Sequence, residues 1–164
     1  MTLKSFNEAT DDEARQMLRP CADIPRWINE ITAVRPFDSE AALLQYAEQA
    51  APDWTATEID GALAHHPRIG ERAEGASAEA SHSRREQAGV SSSDETAQQL
   101  IAGNHAYEEK FGRVFLIRAA GRSAEDILAA LQQRLENTPE QELPIIAGQL
   151  REIAVRRLEG VLAE

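Results

Sequence analysis

Acid–base chemistry is suggested by one stretch of the chain, residues 64–87, which holds three of the four histidines. A helical pattern of apolar residues enters this stretch, and Pro67 disfavours helical geometry in the residue before it. The pattern therefore predicts that His66 lies at a helix C-terminus. An imidazole held there, at the edge of a loop, is a candidate general acid or base. Packing at the helix end would also account for His66, so both interpretations stay open.

Two further charged residues stand out by their positions. Glu86 ends the pattern Ser83-Arg84-Arg85-Glu86, which is itself a capping box. Its carboxylate either caps a helix or lies beside the histidine stretch and orients an imidazole. Arg157 falls on the apolar stripe of the last predicted helix. An arginine there either snorkels, forms a structural ion pair, or points into a polar pocket that binds a ligand.

The sequence does not indicate a metal site. His65 and His66 are adjacent, so on a helix their side chains would diverge by about 100°. No His-Glu-x-x-His spacing occurs, and Cys21 is the single cysteine, which excludes a zinc site built from several thiolates. We therefore expect no metal ligands.

The elements that must position these residues are predicted to be helices. Strand signals are nearly absent, and the run Val114-Phe115-Leu116-Ile117 is the single short apolar segment that could be extended. The helix that begins after Thr55 is predicted to carry His65 and His66. The long helix that begins after Ser93 is predicted to end at Gly112. Capping residues predict further helix starts at Thr10, Asp23, Asp38 or Ser39, Ser93, Ser123 and Thr138, with a short helix over about 83–88. We expect one all-α domain over residues 1–164, with about eight helices and little or no sheet.

Composition excludes several classes of partner. The 164 residues carry a net charge of −11, which argues against nucleic acid, because phosphate binding needs a basic face. No apolar run approaches the ~20 residues that a membrane helix needs. The first residues lack the apolar core of a signal peptide, so we expect a cytoplasmic protein.

An ordered set of short motifs resembles one family. The chain contains His66-Pro67-Arg68-Ile69-Gly70, then Ser83-Arg84-Arg85-Glu86-Gln87, then Asn104-x-x-Tyr107-x-x-x-Phe111-Gly112-x-x-Phe115, Arg134-Leu135-x-Asn137 and Arg157-Leu158. Together with Asn7 and Arg35-Pro36-Phe37, this set resembles the 2-oxo-4-hydroxy-4-carboxy-5-ureidoimidazoline (OHCU) decarboxylases, which make (S)-allantoin in urate breakdown. One departure is visible: many members have Asp-Leu after His-Pro, where this chain has Arg68-Ile69.

The resemblance implies a cofactor-independent carboxy-lyase with an all-α fold, a homodimer and a small-molecule substrate. It implies that His66 and Glu86 are catalytic. It also implies that the substrate is bound by the following residues: Pro67, Ser83, Gln87, Arg157 and the backbone near Leu116 and Ile117. The rival interpretation is a non-enzymatic, acidic helical interaction module, which would account for the surface charge and the helix caps. The enzyme interpretation requires His66, Glu86 and Arg157 to surround one cavity.

Overall fold

The computed structural model describes residues 1–64, 66, 82, 86 and 94–163. Within these residues the regular secondary structure is helical, and no strand is found. The prediction of an all-α fold with about eight helices is therefore confirmed. The helices are α1 (Leu3–Glu8), α2 (Asp11–Leu18), α3 (Pro25–Val34), α4 (Glu40–Gln49), α5 (Ala56–Leu63), α6 (Asp94–Phe111), α7 (Ala124–Arg134) and α8 (Pro139–Leu162).

Most of the predicted helix starts are confirmed. Thr10 and Ser123 close capping boxes with Glu13 and Asp126, each side chain bonding the other residue's backbone N–H. Ser39, rather than Asp38, is the N-cap of α4. Gly112 follows α6 with a φ of +70°, a left-handed conformation that glycine adopts without a Cβ clash.

Two predictions of helix boundaries are wrong, and one helix was missed. Asp23 does not cap α3, because Ile24 is the N-cap and Pro25 supplies the preset φ of the first helical position. Helix α5 ends at Leu63, so it does not carry His66. The missed helix, α1, begins at Thr2 with a Thr-x-x-Ser capping box.

The chain divides into two compact units. The first comprises residues 1–62 and 150–164, and the second comprises residues 63–149. The single-domain assignment stays a prediction. None of the helices in the described part of the chain is long and apolar enough to cross a membrane.

Two partly buried arginine side chains connect segments of the first unit. The Arg35 side chain donates to the carbonyls of Phe6, Ala9 and Thr32, and it pairs with Asp11 at 2.7 Å. Arg151, on α8, covers the C-terminus of α4: its Nη1 lies 2.7 Å from the Ala50 carbonyl oxygen and its Nη2 2.8 Å from that of Ala51. A cation there balances the helix dipole and satisfies carbonyls that have no partner within the helix.

Helices α6 and α7 pack closely in the second unit. Gly103 makes this possible, because a Cβ at that position would lie 2.5 Å from Leu131 Cδ2. The core that they enclose consists of Leu100, Tyr107, Phe111, Phe115, Ile117, Ala119, Ala124, Ile127 and Leu131. The connection between the helices, residues 112–123, thus places apolar side chains in the core although its backbone is irregular.

Candidate active site

His66 lies three residues beyond the end of α5. Its backbone N–H donates to the Leu63 carbonyl at 3.0 Å, the short-range bond that tightens the end of a helix. The residue is partly buried. His66 therefore lies next to a helix C-terminus but not within the helix, which ends about one turn earlier than the sequence pattern indicated.

The second candidate catalytic residue, Glu86, has helical backbone geometry and is partly buried. His82 is also helical and is 6% exposed, a burial that sequence reasoning did not predict. Three of the predicted substrate-binding residues, Pro67, Ser83 and Gln87, lie outside the described residues, as do the residues of the predicted helix over about 83–88 other than Glu86. Their roles stay predictions.

Leu116 and Ile117 lie in the irregular segment after α6, and each is 4% exposed. The Leu116 carbonyl accepts a hydrogen bond from Arg134 Nη1 at 2.6 Å. The next peptide group is held as well, because the Arg118 N–H donates to Gln149 Oε1 at 2.8 Å. Contacts from two different helices thus fix the backbone on both sides of Ile117.

The Arg134 guanidinium belongs to a buried polar cluster centred on Glu142. Arg134 Nε and the Tyr107 hydroxyl both donate to Glu142 Oε1, at 2.8 and 2.6 Å. Asn137 Nδ2 donates to the other carboxylate oxygen at 2.9 Å. Glu142 is 1% exposed and Arg134 6%, so the ion pair is almost fully removed from water. The same guanidinium lies over the Phe115 ring, 4.6 Å from its centroid.

This environment holds Tyr107 in its neutral form. Burial, and then the hydrogen bond that its hydroxyl donates to Glu142, raise the pKa of Tyr107 above the usual value for a phenol. The nearby Arg134 opposes this rise, but it is outweighed. Tyr107 therefore acts as a hydrogen-bond donor in the cluster over the whole physiological pH range.

Sequence reasoning placed Arg134 and Asn137 only within a family motif, and it missed Glu142. A signal was available, because Glu142 precedes the buried residues Ile146 and Leu150 by four and eight positions along α8. A carboxylate on the buried stripe of a helix requires a partner. Leu143, the apolar residue that follows Glu142, is only partly buried.

Arg157, on the apolar stripe of α8, is buried at 4% exposure. Its Nη1 donates to the Pro20 carbonyl at 3.0 Å. Snorkelling to solvent is thereby excluded. A guanidinium has five N–H donors in a planar fork, so a backbone contact of this kind is compatible with either a structural or a ligand-binding role. The neighbouring Arg156 is exposed, as predicted.

The described site residues are shared between the two units. His66, Glu86, Leu116 and Ile117 belong to the unit of residues 63–149, and Arg157 belongs to the other. Their arrangement around one cavity stays a prediction. A separate surface groove of about 400 Å³ lies between α2 and α3 and contains none of the predicted site residues. Its arginines are paired locally, Arg15 with Asp12 and Arg19 with Asp23.

Comparison with known proteins assigns the chain to a family. The family model described as OHCU decarboxylase matches residues 7–159, which is nearly the whole chain. The chain belongs to the OHCU decarboxylase family. The match includes all of the predicted site residues, and the family predicted from the short motifs is thereby confirmed.

Three relatives of this OHCU decarboxylase family member align over most of the chain. A 2-oxo-4-hydroxy-4-carboxy-5-ureidoimidazoline decarboxylase of Haloferax volcanii is 29% identical over 96% of this chain and 94% of its own. The uric acid degradation bifunctional protein TTL of Arabidopsis thaliana is 27% identical over 88% of this chain. A uric acid degradation bifunctional protein of a Bacillus strain is 24% identical over the full chain. The chain spans only 46% of the Arabidopsis protein and 33% of the Bacillus protein.

Solved structures support the fold of the family member. The crystal structure of an OHCU decarboxylase in the presence of (S)-allantoin has a TM-score of 0.76 at 24% identity, covering 95% of this chain and all of that one. The crystal structure of an (S)-allantoin synthase has a TM-score of 0.70 at 19% identity, covering 98% of this chain and 54% of that one. The described helices therefore follow the fold of these proteins.

Proposed function

We propose that this protein decarboxylates OHCU and protonates the product on one face, which gives (S)-allantoin in urate catabolism. The observation that carries the proposal is the family match over residues 7–159. The Haloferax relative supports it further, because it bears the name of this activity and aligns over nearly its full length.

The chemistry of the substrate accounts for a reaction without an organic cofactor or metal. Decarboxylation leaves an electron pair that requires a sink. The carbon that bears the carboxylate and hydroxyl groups adjoins the carbon of a ring C=N bond. As CO2 leaves, the electrons of the broken C–C bond form a C=C bond between these two carbons, and the π electrons of the C=N bond move to the ring nitrogen, which takes up a proton. The resulting enol becomes a ketone when a proton is delivered to the adjacent carbon.

The protein has three tasks in this mechanism: it holds the carboxylate out of the ring plane, steers the hydroxyl proton, and delivers a proton to one face. His66 is assigned to proton transfer, because an imidazole exchanges protons near neutral pH. Glu86 is assigned as the hydrogen-bond acceptor for the substrate or for the His66 ring. The planar guanidinium of Arg157 is assigned as a hydrogen-bond donor to a carboxylate or carbonyl of the substrate.

Binding of the ring is assigned to the backbone at Leu116 and Ile117, with Pro67, Ser83 and Gln87 completing the site. The contacts of Arg134 and Gln149 support this assignment, because they hold the backbone on both sides of Ile117. Preorganised donors and acceptors of this kind need no rearrangement as charge develops during the reaction.

A coupled assay tests the proposed activity. Urate is oxidised in situ to the unstable ureidoimidazoline, and the appearance of optically active allantoin is followed by circular dichroism. We expect (S)-allantoin to appear faster when the protein is present. If the rate and the enantiomeric excess equal those of the uncatalysed decay, the proposed function is wrong.

We further propose that the protein acts as a cytoplasmic homodimer. The family resemblance supports this assembly. Sedimentation at micromolar protein concentration measures it directly, and a single species with the mass of one 18.1 kDa chain would contradict it.

A further inference from the structure

We infer that Arg134 is a positioning residue for the decarboxylation: its hydrogen bond to the Leu116 carbonyl sets the backbone at residues 115–118 that receives the substrate ring. This inference rests on the proposed function and extends it to a residue that supports the binding segment. Arg134 is not assigned any contact with the substrate.

Three successive contacts hold this segment. The Phe115 ring lies under the Arg134 guanidinium at 4.6 Å. The Leu116 carbonyl accepts from Arg134 Nη1 at 2.6 Å. The Arg118 N–H donates to Gln149 Oε1 at 2.8 Å. Because residues 112–123 have no regular secondary structure, side chains rather than a helical ladder supply these anchors.

A second hydrogen bond fixes the Arg134 guanidinium itself. Arg134 Nε donates to Glu142 Oε1, and that carboxylate is held in turn by Tyr107 and Asn137. With one nitrogen on Glu142 and another on Leu116, the planar guanidinium transmits the position of α8 to the segment. A lysine could keep the charge beside Glu142, but a point charge cannot occupy both places in the same geometry.

Positioning explains this cluster better than stability does. A buried ion pair adds little net stability compared with apolar side chains of the same volume, because both charges lose their hydration. The cluster nevertheless lies in the core of this unit and aims one donor at a carbonyl of the proposed binding segment. A displaced segment would bind the ring less tightly in the ground state and in the transition state alike, and such a loss of uniform binding raises KM.

The test compares Arg134→Lys with Tyr107→Phe in the coupled circular dichroism assay. Tyr107→Phe is the matched control: it removes one hydrogen bond to Glu142 but leaves the Arg134–Leu116 contact in place. We expect Arg134→Lys to raise KM at least about tenfold, because ring binding is lost in the ground state and transition state alike. Tyr107→Phe should lower Tm by about 3–10 °C and leave KM within about twofold.

A wild-type KM in Arg134→Lys overturns the inference, whatever happens to Tm. An equal rise of KM in Tyr107→Phe also overturns it, since that result would indicate general loosening. If Arg134→Lys does not fold, Arg134→Met combined with Glu142→Leu replaces it, because this pair of changes also removes the bond to Leu116 but leaves neither charge buried without its partner. The same rise in KM is then expected, and an unchanged KM refutes the inference. An inactive wild-type protein would instead refute the proposed function itself.

Discussion

Replacing Glu142 by glutamine should destabilise the protein strongly. The carboxylate is 1% exposed and accepts hydrogen bonds from Tyr107, Arg134 and Asn137. A glutamine side chain can still accept on one end, but its amide group then meets the amide of Asn137, donor against donor. The change also removes the negative charge that Arg134 Nε contacts at 2.8 Å.

The expected loss follows from breaking a buried ion pair on one side. Such a change typically costs about 3–5 kcal/mol, because it leaves an uncompensated buried charge. For a chain of this size, 1 kcal/mol corresponds to about 2–4 °C in Tm, so the melting temperature should fall by about 6–20 °C. Urea unfolding followed by helical circular dichroism measures the free energy of unfolding directly.

A double-mutant cycle identifies the cause of this loss. Arg134→Met alone should also be costly, because it leaves Glu142 without its counter-charge. The double variant should be more stable than the sum of the two losses predicts, by about 1–3 kcal/mol. A loss below about 1 kcal/mol for Glu142→Gln, or strict additivity in the cycle, would refute the argument that the pair is electrostatically coupled.

Four further predictions address the site and the cluster. His66→Asn should lower kcat by about 10²–10⁴-fold at unchanged Tm, with His65→Asn as the milder control; a near wild-type kcat would remove His66 from the mechanism. Activity should survive exhaustive chelation, and loss restored by one added metal would contradict the cofactor-free proposal. The pKa of Tyr107 is raised in the folded state, so its contribution to the free energy of unfolding is complete below the unfolded value of about 10 and is lost as pH rises above it. Above pH 10 the wild type should therefore lose up to about 1.4 kcal/mol of this free energy per pH unit more than Tyr107→Phe does. An equal loss in the two proteins, measured by urea unfolding at each pH, would count against this. Arg157→Lys should lower kcat/KM by about 10–100-fold with little change in Tm, whereas unfolding with normal residual kinetics would assign Arg157 a purely structural role.

Local chemistry made most of the fold predictable. Thr10 and Ser123 begin helices because a hydroxyl and a carboxylate three residues later satisfy two backbone donors, and both partners are adjacent in sequence. Gly112 ends a helix for an equally local reason, its positive φ. The error at the start of α3 is also local in origin. Ile24 needs no side-chain cap at the start of α3, because proline follows it.

The candidate site was less predictable from sequence because its supporting residues are distant along the chain. Periodicity placed Arg157 on an apolar stripe, but it could not name Pro20 as the group that accepts its hydrogen bond, 137 residues away. Glu142 meets Tyr107 across 35 residues, and no local pattern encodes that pairing. His66 and Glu86 were singled out by residue type and by family motif, which indicate chemistry but not geometry.

The hydrogen bonds from Arg151 to the C-terminus of α4 have a consequence for how the polypeptide acquires structure during translation. The carbonyls that it binds, from Ala47 to Ala51, leave the ribosome about 100 residues before Arg151 does. Synthesis proceeds at about 5–20 residues per second, so roughly 5–20 s pass between the synthesis of the end of α4 and that of Arg151. The contiguous residues 63–149 are all synthesised within that interval. Vectorial synthesis therefore allows the unit that carries His66 and the Glu142 cluster to form first, while the unit that carries Arg157 is completed only when residues 150–164 emerge.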